Sequence, residues 1–210
     1  MADTDALASY SEASYFDAST PEQILFGAGT YHHGVALNAD KTGLTDLGTF
    51  LGVTNGGGKF SIVPNLVHLD IDNSSVMREG ATVKDGEEAY IETSITQITP
   101  DVIAKAALAD VADKTGVSVI TSRERIGTGD YYDNFAYIGK TATGKPVVVV
   151  FEKALCTSGL EVESKKGEQS SPTVKFNCVA KADSGKNVLP YIIIWPKAST
   201  ATKAAQGVTK

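Results

Sequence analysis

The stretch EEAYIETSITQITPDVIAKAALAD, residues 87–110, contains the point at which the hydrophobic period of the chain changes. In its first half, apolar Ile91 and Ile95 alternate with polar residues, as in a β-strand with one apolar face and one face toward water. In its second half, Thr99 has the chemistry of a helix N-cap. Pro100 suits the first helical position, because a proline lacks the N–H that would be unpaired there. The stretch therefore predicts a strand followed directly by a helix.

The predicted helix runs from about Pro100 to Ala112, and Gly116 is expected to end it. Ile98 and Ile103 have the spacing of a hydrophobic staple, which fixes the angle at which a chain enters a helix. We expect the helix to lie on a sheet through a narrow apolar stripe formed by Ile103, Ala106, Ala107 and Leu108.

Length and composition predict one β domain with loose ends. The expected divisions are an N-terminal arm at 1–20, a domain at 21–196 and a disordered tail at 197–210. We find no run of about 18 apolar residues and no basic, apolar leader, so we expect a cytosolic product. The net charge of −6 argues against affinity for nucleic-acid phosphates. Cys156 and Cys178 lie in apolar runs and are expected to be buried, inert thiols.

A glycine-rich step separates two runs that favour strands, residues 47–54 and 59–72. Because an Asn-Gly step is typical of tight turns, residues 55–58 predict a hairpin turn. The inward face of the second run changes near Pro64, which predicts a β-bulge. Residues 73–86 are polar and long for a turn, so we expect a functional loop there.

Short runs of β-branched and aromatic residues follow the helix, separated by glycine or proline. They predict strands at 117–121, 135–138, 147–151, 160–164, 174–180 and 191–195. The expected fold is mainly β, a sandwich or barrel with one packed α-helix.

The motifs that suggest chemistry are weak. The Gly56–Lys59 run lacks the first glycine and the final Ser or Thr of a phosphate loop, and Asp70, Asp72 and Ser74 lack the later ligands of a calcium loop. His32 and His33 point to opposite faces of a strand, so they cannot chelate a metal together. The sequence Asp130-Tyr131-Tyr132-Asp133 resembles a sugar-binding cluster, but a loop staple is favoured. We therefore expect no catalytic residue, metal or cofactor.

The order of these segments resembles the major tail protein, or tail tube protein, of long-tailed bacteriophages of Gram-positive hosts. The resemblance covers about residues 24–195. It is carried by LFGAG at 25–29, GVTNGG at 52–57 with KFSI at 59–62, residues 92–100, TSR at 121–123, DYYDN at 130–134, GKP at 144–146 and ALCTSGLE at 154–161. Residues 76–84 and the C-terminal tail depart from the family pattern.

The resemblance implies a structural subunit that polymerises as stacked hexameric rings and forms a channel for genome delivery. It implies partners in its own copies, the tape measure protein, the tail terminator, the distal tail or baseplate proteins and, in contractile tails, a sheath. DNA would pass without specific binding, and the protein would be assembled in the host cytoplasm and located in the virion tail. The implied inter-ring loop includes Val76, Met77, Arg78, Glu79 and Val83, and the implied lumen or joint face has Tyr90, Glu92, Ser94 and Thr96.

Two other classes of function remain open from the sequence. One is a carbohydrate-binding β-sandwich module of a phage or bacterial adhesin, and the other is a hydrolase on a β scaffold. Only the tube requires polymerisation, so assembly distinguishes it from both.

Overall fold

The computed structural model of the chain describes residues 19–70, 76, 78–182, 185 and 187–198. Most of the expected N-terminal arm, most of the C-terminal tail and Met77 lie outside these residues. The described chain is mainly antiparallel β-structure with one α-helix, which confirms the predicted fold class.

Twelve strands and one helix follow in chain order. The strands are β1 (Thr30–His33), β2 (Ala36–Leu37), β3 (Leu44–Asp46), β4 (Thr49–Phe50), β5 (Thr54–His68), β6 (Thr82–Ile95), β7 (Ala109–Lys114), β8 (Val117–Ser122), β9 (Tyr132–Lys140), β10 (Pro146–Cys156), β11 (Thr173–Cys178) and β12 (Tyr191–Ile194). The helix is α1 (Pro100–Ala107), and 3-10 turns occur at Thr20–Glu22 and Thr128–Asp130.

One eight-stranded sheet organises the molecule. Its order is β4-β1-β9-β10-β11-β6-β5, and β12 pairs with β10 beside β11. The strands β2 and β3 form one small hairpin, and β7 and β8 form another.

The segment 51–53 joins the two ends of this sheet. The N–H of Leu51 donates to the carbonyl of Tyr31 in β1, whereas the carbonyl of Val53 accepts from Thr96 and Gln97, just after β6. The same segment is thus hydrogen-bonded first to one end of the sheet and then to the other. The sheet is partly closed, like a barrel, around its apolar side chains.

The main core lies inside this curved sheet. It contains Phe135, Phe151, Phe176, Ile91 and Ile95, each of them at most 1% exposed. A smaller cluster of Val35, Ala136, Val148 and Val150 lies apart from it and packs against β2, β3 and β12. The two thiols are buried and free, as predicted, and burial raises the pKa of Cys178 to about 12.

The helix begins where the sequence predicts and ends earlier. The hydroxyl of Thr99 accepts from the N–H of Val102 at 3.3 Å, so the predicted N-cap is confirmed. The predicted end at Ala112 is wrong, because Leu108 adopts a left-handed conformation with φ 53° and ends the helix after Ala107. Gly116 instead lies between β7 and β8.

The predicted apolar stripe of the helix is also wrong in part. The buried residues of α1 are Val102, Ala104 and Ala106, whereas Ala107 is exposed and Ile103 is half-buried. The reason is the early end of the helix. Because the chain turns away at Leu108 to form β7, the face predicted for a longer helix is never completed.

The glycine-rich step is a bulge inside β5, so the predicted hairpin turn is wrong. Thr54 pairs with Ile95 and Gly58 pairs with Thr93, so residues 55–57 stand opposite one residue of β6. The positive φ angles of Gly56 and Gly57 that favour a turn serve the bulge equally well. A Cβ at Gly58 would collide with the buried hydroxyl of Tyr31, so only glycine fits there.

Two further strand predictions have different outcomes. The register of β5 shifts between Pro64 and Leu66, which confirms the predicted bulge. The strand predicted at 160–164 is wrong, because those residues form no ladder. The predicted loop at 73–86 is shorter than expected, since β6 already begins at Thr82 and Val83 pairs with Val67. Side-chain alternation on an exposed ribbon is weak, so the sequence does not mark it.

The two faces of β6 can be tested by comparing Ile95→Ala with Glu92→Ala. Ile95 is fully buried and its truncation leaves a cavity, so we expect a loss of about 2 to 5 kcal/mol in unfolding free energy. Glu92→Ala should cost little, because this side chain is partly exposed. Urea unfolding measures both variants, and equal losses would contradict the assignment of the faces.

Candidate functional site

The distal part of the β5–β6 hairpin stands apart from the rest of the sheet. The strand β11 pairs with β6 only from Tyr90 to Ser94, so beyond Ala89 the two strands pair only with each other. We call residues 63–69 and 81–88 the β5–β6 arm. On the β5 side every residue of the arm is exposed.

The arm carries large apolar side chains that the described chain does not cover. Leu66 is 59% exposed, and the exposed set also includes Val63, Val67, Leu69 and Val83. A two-stranded ribbon is marginal alone in water, and clustered exposed apolar residues are typical of interaction sites. The sequence analysis missed the residues of this set in β5, although their place in an apolar strand run is a visible signal.

The structure places the implied inter-ring residues at the end of the arm. Val76, Arg78 and Glu79 are exposed near its tip, and Val83 lies within β6. Met77 falls outside the described residues. The four described residues therefore belong to one projecting element.

Glu87 fastens the base of the arm to the body of the protein. Its carboxylate accepts from the N–H of Leu189 at 2.9 Å and pairs with the Lys84 ammonium at 2.5 Å. The side chain is only 4% exposed. The hydrogen bond from Lys84, followed by the one from Leu189, lowers the pKa of Glu87 below its ordinary value.

This contact should make part of the stability depend on acid pH. A carboxyl group with a lowered pKa in the folded state contributes stability above its unfolded pKa and loses it as the pH falls through the folded value. We expect Glu87→Gln to lower the unfolding free energy by about 1 kcal/mol at pH 7 and to flatten its decline toward acid pH. Glu163→Gln is the control, because Glu163 is 76% exposed. Parallel pH profiles for Glu87→Gln and wild type would contradict the role of Glu87.

The second candidate surface is the polar face of β6. Tyr90, Glu92, Ser94 and Thr96 are each partly exposed, whereas Ile91 and Ile95 point into the core. The face continues onto both neighbouring strands. Ser94 hydrogen-bonds to Thr173 of β11 at 3.0 Å, and Thr96 to Ser171 at 3.2 Å.

Positive and negative side chains alternate across this face. Glu92 pairs in register with Lys59 on one side and Lys175 on the other. The two ammonium groups lie 5.2 Å and 3.9 Å from the centre of the Tyr90 ring, and Lys175 also binds Glu88 at 3.0 Å. A hydrogen bond donated by Lys59 is the main cause that lowers the pKa of Tyr90. Two lysines and two glutamates thus form a charge-balanced surface.

This balance corrects the expectation of an acidic wall. Besides Glu92, the carboxylates proposed for such a wall were Asp70, Asp72, Glu161 and Glu163. Glu161 and Glu163 lie in the loop between β10 and β11, Asp70 follows β5 near the tip of the arm, and Asp72 lies outside the described residues. Sequence alone does not show which charges share a face, because that depends on strand register.

The residues considered for chemistry have structural partners. Asp130 is 2% exposed, accepts from the N–H of Gly127 at 2.7 Å and pairs with Arg123. The hydroxyl of Tyr132 donates to Asp101 at 2.6 Å. These contacts agree with a loop staple rather than with a sugar-binding cluster.

The adjacent histidines pack separately. His33 lies 4.7 Å from the ring of Tyr132, and His32 lies 5.4 Å from Phe50. Burial lowers the pKa of both. Within the described ranges, no three His, Cys, Asp or Glu side chains are grouped as metal ligands.

Two comparisons complete this description. No helix in the part of the chain that the structure describes is long and apolar enough to cross a membrane. No protein-family model and no curated protein matches the sequence, so the functional proposal depends on the surfaces described above.

Proposed function

We propose that this chain is the structural subunit of a bacteriophage tail tube, which polymerises as stacked hexameric rings around a channel for genome delivery. The observation that carries the proposal is the β5–β6 arm, which projects from the sheet with exposed apolar side chains. Burying one leucine side chain contributes about 1.5 to 3 kcal/mol, and a contact repeated at every subunit adds up along a polymer.

The polar face of β6 is proposed as the wall of the channel. A moving DNA duplex has many phosphates, and each one held by a free cation would slow its passage. On this face Lys175 is paired with Glu88, and both lysines lie beside the Tyr90 ring and Glu92. A charge-balanced wall supports passage without specific binding.

The partners follow from the same proposal. Copies of the chain form the rings, the tape measure protein occupies the channel during assembly, and the terminator and distal tail or baseplate proteins close the two ends. A sheath would be present only in a contractile tail. Assembly in the host cytoplasm and residence in the virion tail are parts of the proposal.

No structural observation favours the adhesin alternative. Its best sequence feature was the cluster at 130–133, and two members of that cluster are used internally, Asp130 by Arg123 and Tyr132 by Asp101. We therefore do not develop a carbohydrate-binding function.

Polymerisation is the direct test. The purified chain at high concentration should form tubes visible by negative-stain microscopy, and Leu66→Glu should prevent them, because a charge at a buried contact is costly. Leu66 is 59% exposed in the subunit, so the variant should keep its melting temperature.

Val162→Glu is the matched control, since Val162 is a 49% exposed apolar residue in the loop between β10 and β11. This control should form tubes normally. Tubes of normal length from Leu66→Glu would refute the assembly role of the arm, and a wild-type protein that stays monomeric would refute the proposed function.

The wall assignment has a separate test in Glu92→Lys. The change would place three lysines in one row across β5, β6 and β11, because Lys59, residue 92 and Lys175 are in register. Tubes of this variant should retain short duplex DNA at low salt and release it at high salt, since phosphate contacts displace counterions. Wild-type tubes and tubes of Glu163→Lys, a change at an exposed loop carboxylate, should retain little. Equal retention by the Glu92→Lys and Glu163→Lys tubes would contradict the placement of Glu92.

A further inference from the structure

A groove at the other end of the sheet has no role in the assembly proposal. It lies where β9 begins and β11 ends, and encloses about 550 Å³. We call it the Tyr131 groove and define it by Ile126, Thr128, Tyr131, Lys153, Val179 and Lys181. Its apolar part includes Ile126, which is 52% exposed, and its rim carries the two lysines.

The lysines at the rim are paired only through exposed contacts. Lys153 lies 2.8 Å from Asp133, a side chain that is 70% exposed, and Lys181 lies 3.9 Å from Glu152. Glu152 also binds Lys41, so three ammonium groups share two carboxylates around the groove. Exposed ion pairs contribute little, so these lysines are free to exchange partners. The groove therefore suits an acidic ligand with apolar side chains.

We propose that the Tyr131 groove binds the N-terminal segment of its own chain, residues 1–18. This segment contains four acidic residues, Asp3, Asp5, Glu12 and Asp17, and no lysine or arginine. It also contains the aromatic residues Tyr10, Tyr15 and Phe16. It has too few apolar residues for a core of its own, but its charge and its aromatic rings match the rim and the floor of the groove.

The segment is long enough to reach the groove within one chain. Glu22 is held 2.9 Å from Lys145, next to the first residue of β10, and Lys153 lies farther along the same strand. At about 3.3 Å per residue, the eight steps from position 145 to 153 span about 26 Å. A segment of 18 residues spans up to about 60 Å when extended, so intramolecular binding needs no strained path.

Photo-crosslinking of the full chain tests this proposal. A benzophenone amino acid at position 126 should cross-link to peptides from residues 1–18, with a yield independent of protein concentration and without formation of dimers. The same group at position 162 is the control, because Val162 is 49% exposed and lies in another loop. The reaction is done on the unassembled subunit, so its outcome does not depend on tube formation.

Charge reversal gives a second readout. Lys181→Glu should reduce the cross-link yield by about fivefold, the population change expected from one exposed ion pair. Adding Asp3→Lys and Asp5→Lys to that variant should restore the yield. Equal labelling of residues 1–18 from positions 126 and 162 would overturn the proposal, as would cross-links found only between two chains or no effect of the charge changes.

Discussion

Burial of alternate side chains along β6 is the constraint on which the rest of the structure depends. Ile91 and Ile95 are fully buried against Phe176 and the helix, while the residues between Ile91 and Ile95 on the opposite face remain partly exposed. A shift of one residue in register would exchange these faces, so the pairing with β5 and β11 is strongly specified. The core and the polar surface are therefore two consequences of the same strand.

Partial closure of the sheet follows from a short segment with bonds on two sides. Residues 51–53 connect β1 with the end of β6, which brings Tyr31 beneath Gly58. A closed sheet leaves few free edges that invite uncontrolled pairing. The arm is the exception, because β5 and β6 continue past the last residue that β11 pairs. The stable part of the molecule and its exposed ribbon are thus built from one pair of strands.

The exposed surfaces differ in chemistry in a way that suits separate tasks. The arm presents apolar side chains, the polar face of β6 presents alternating charges around Tyr90, and the Tyr131 groove joins an apolar floor to a basic rim. Apolar exposed patches favour association, whereas balanced charges weaken adhesion to a polyanion. In the proposed tube, the first surface would hold subunits together and the second would let DNA move past them.

The sequence by itself determined the features that depend on neighbouring residues. The alternation at 90–96, the cap at Thr99, the bulge near Pro64 and the mainly β fold class were all predicted correctly. The candidate surfaces were predicted only in part, since the face of Glu92 was recognised but its lysine neighbours were not. Those lysines come from strands distant in sequence, and no local pattern specifies such a pairing.

Tertiary structure decided the remaining features. The glycines at 56–58 are compatible with a turn or a bulge, and pairing with β6 rather than with residues 47–54 selected the bulge. The helix ends at Ala107 because the following residues form a hairpin with β8, a pairing that outweighs local helical preference. Local propensities differ by less than about 1 kcal/mol per residue, so burial and long-range hydrogen bonds set the final boundaries.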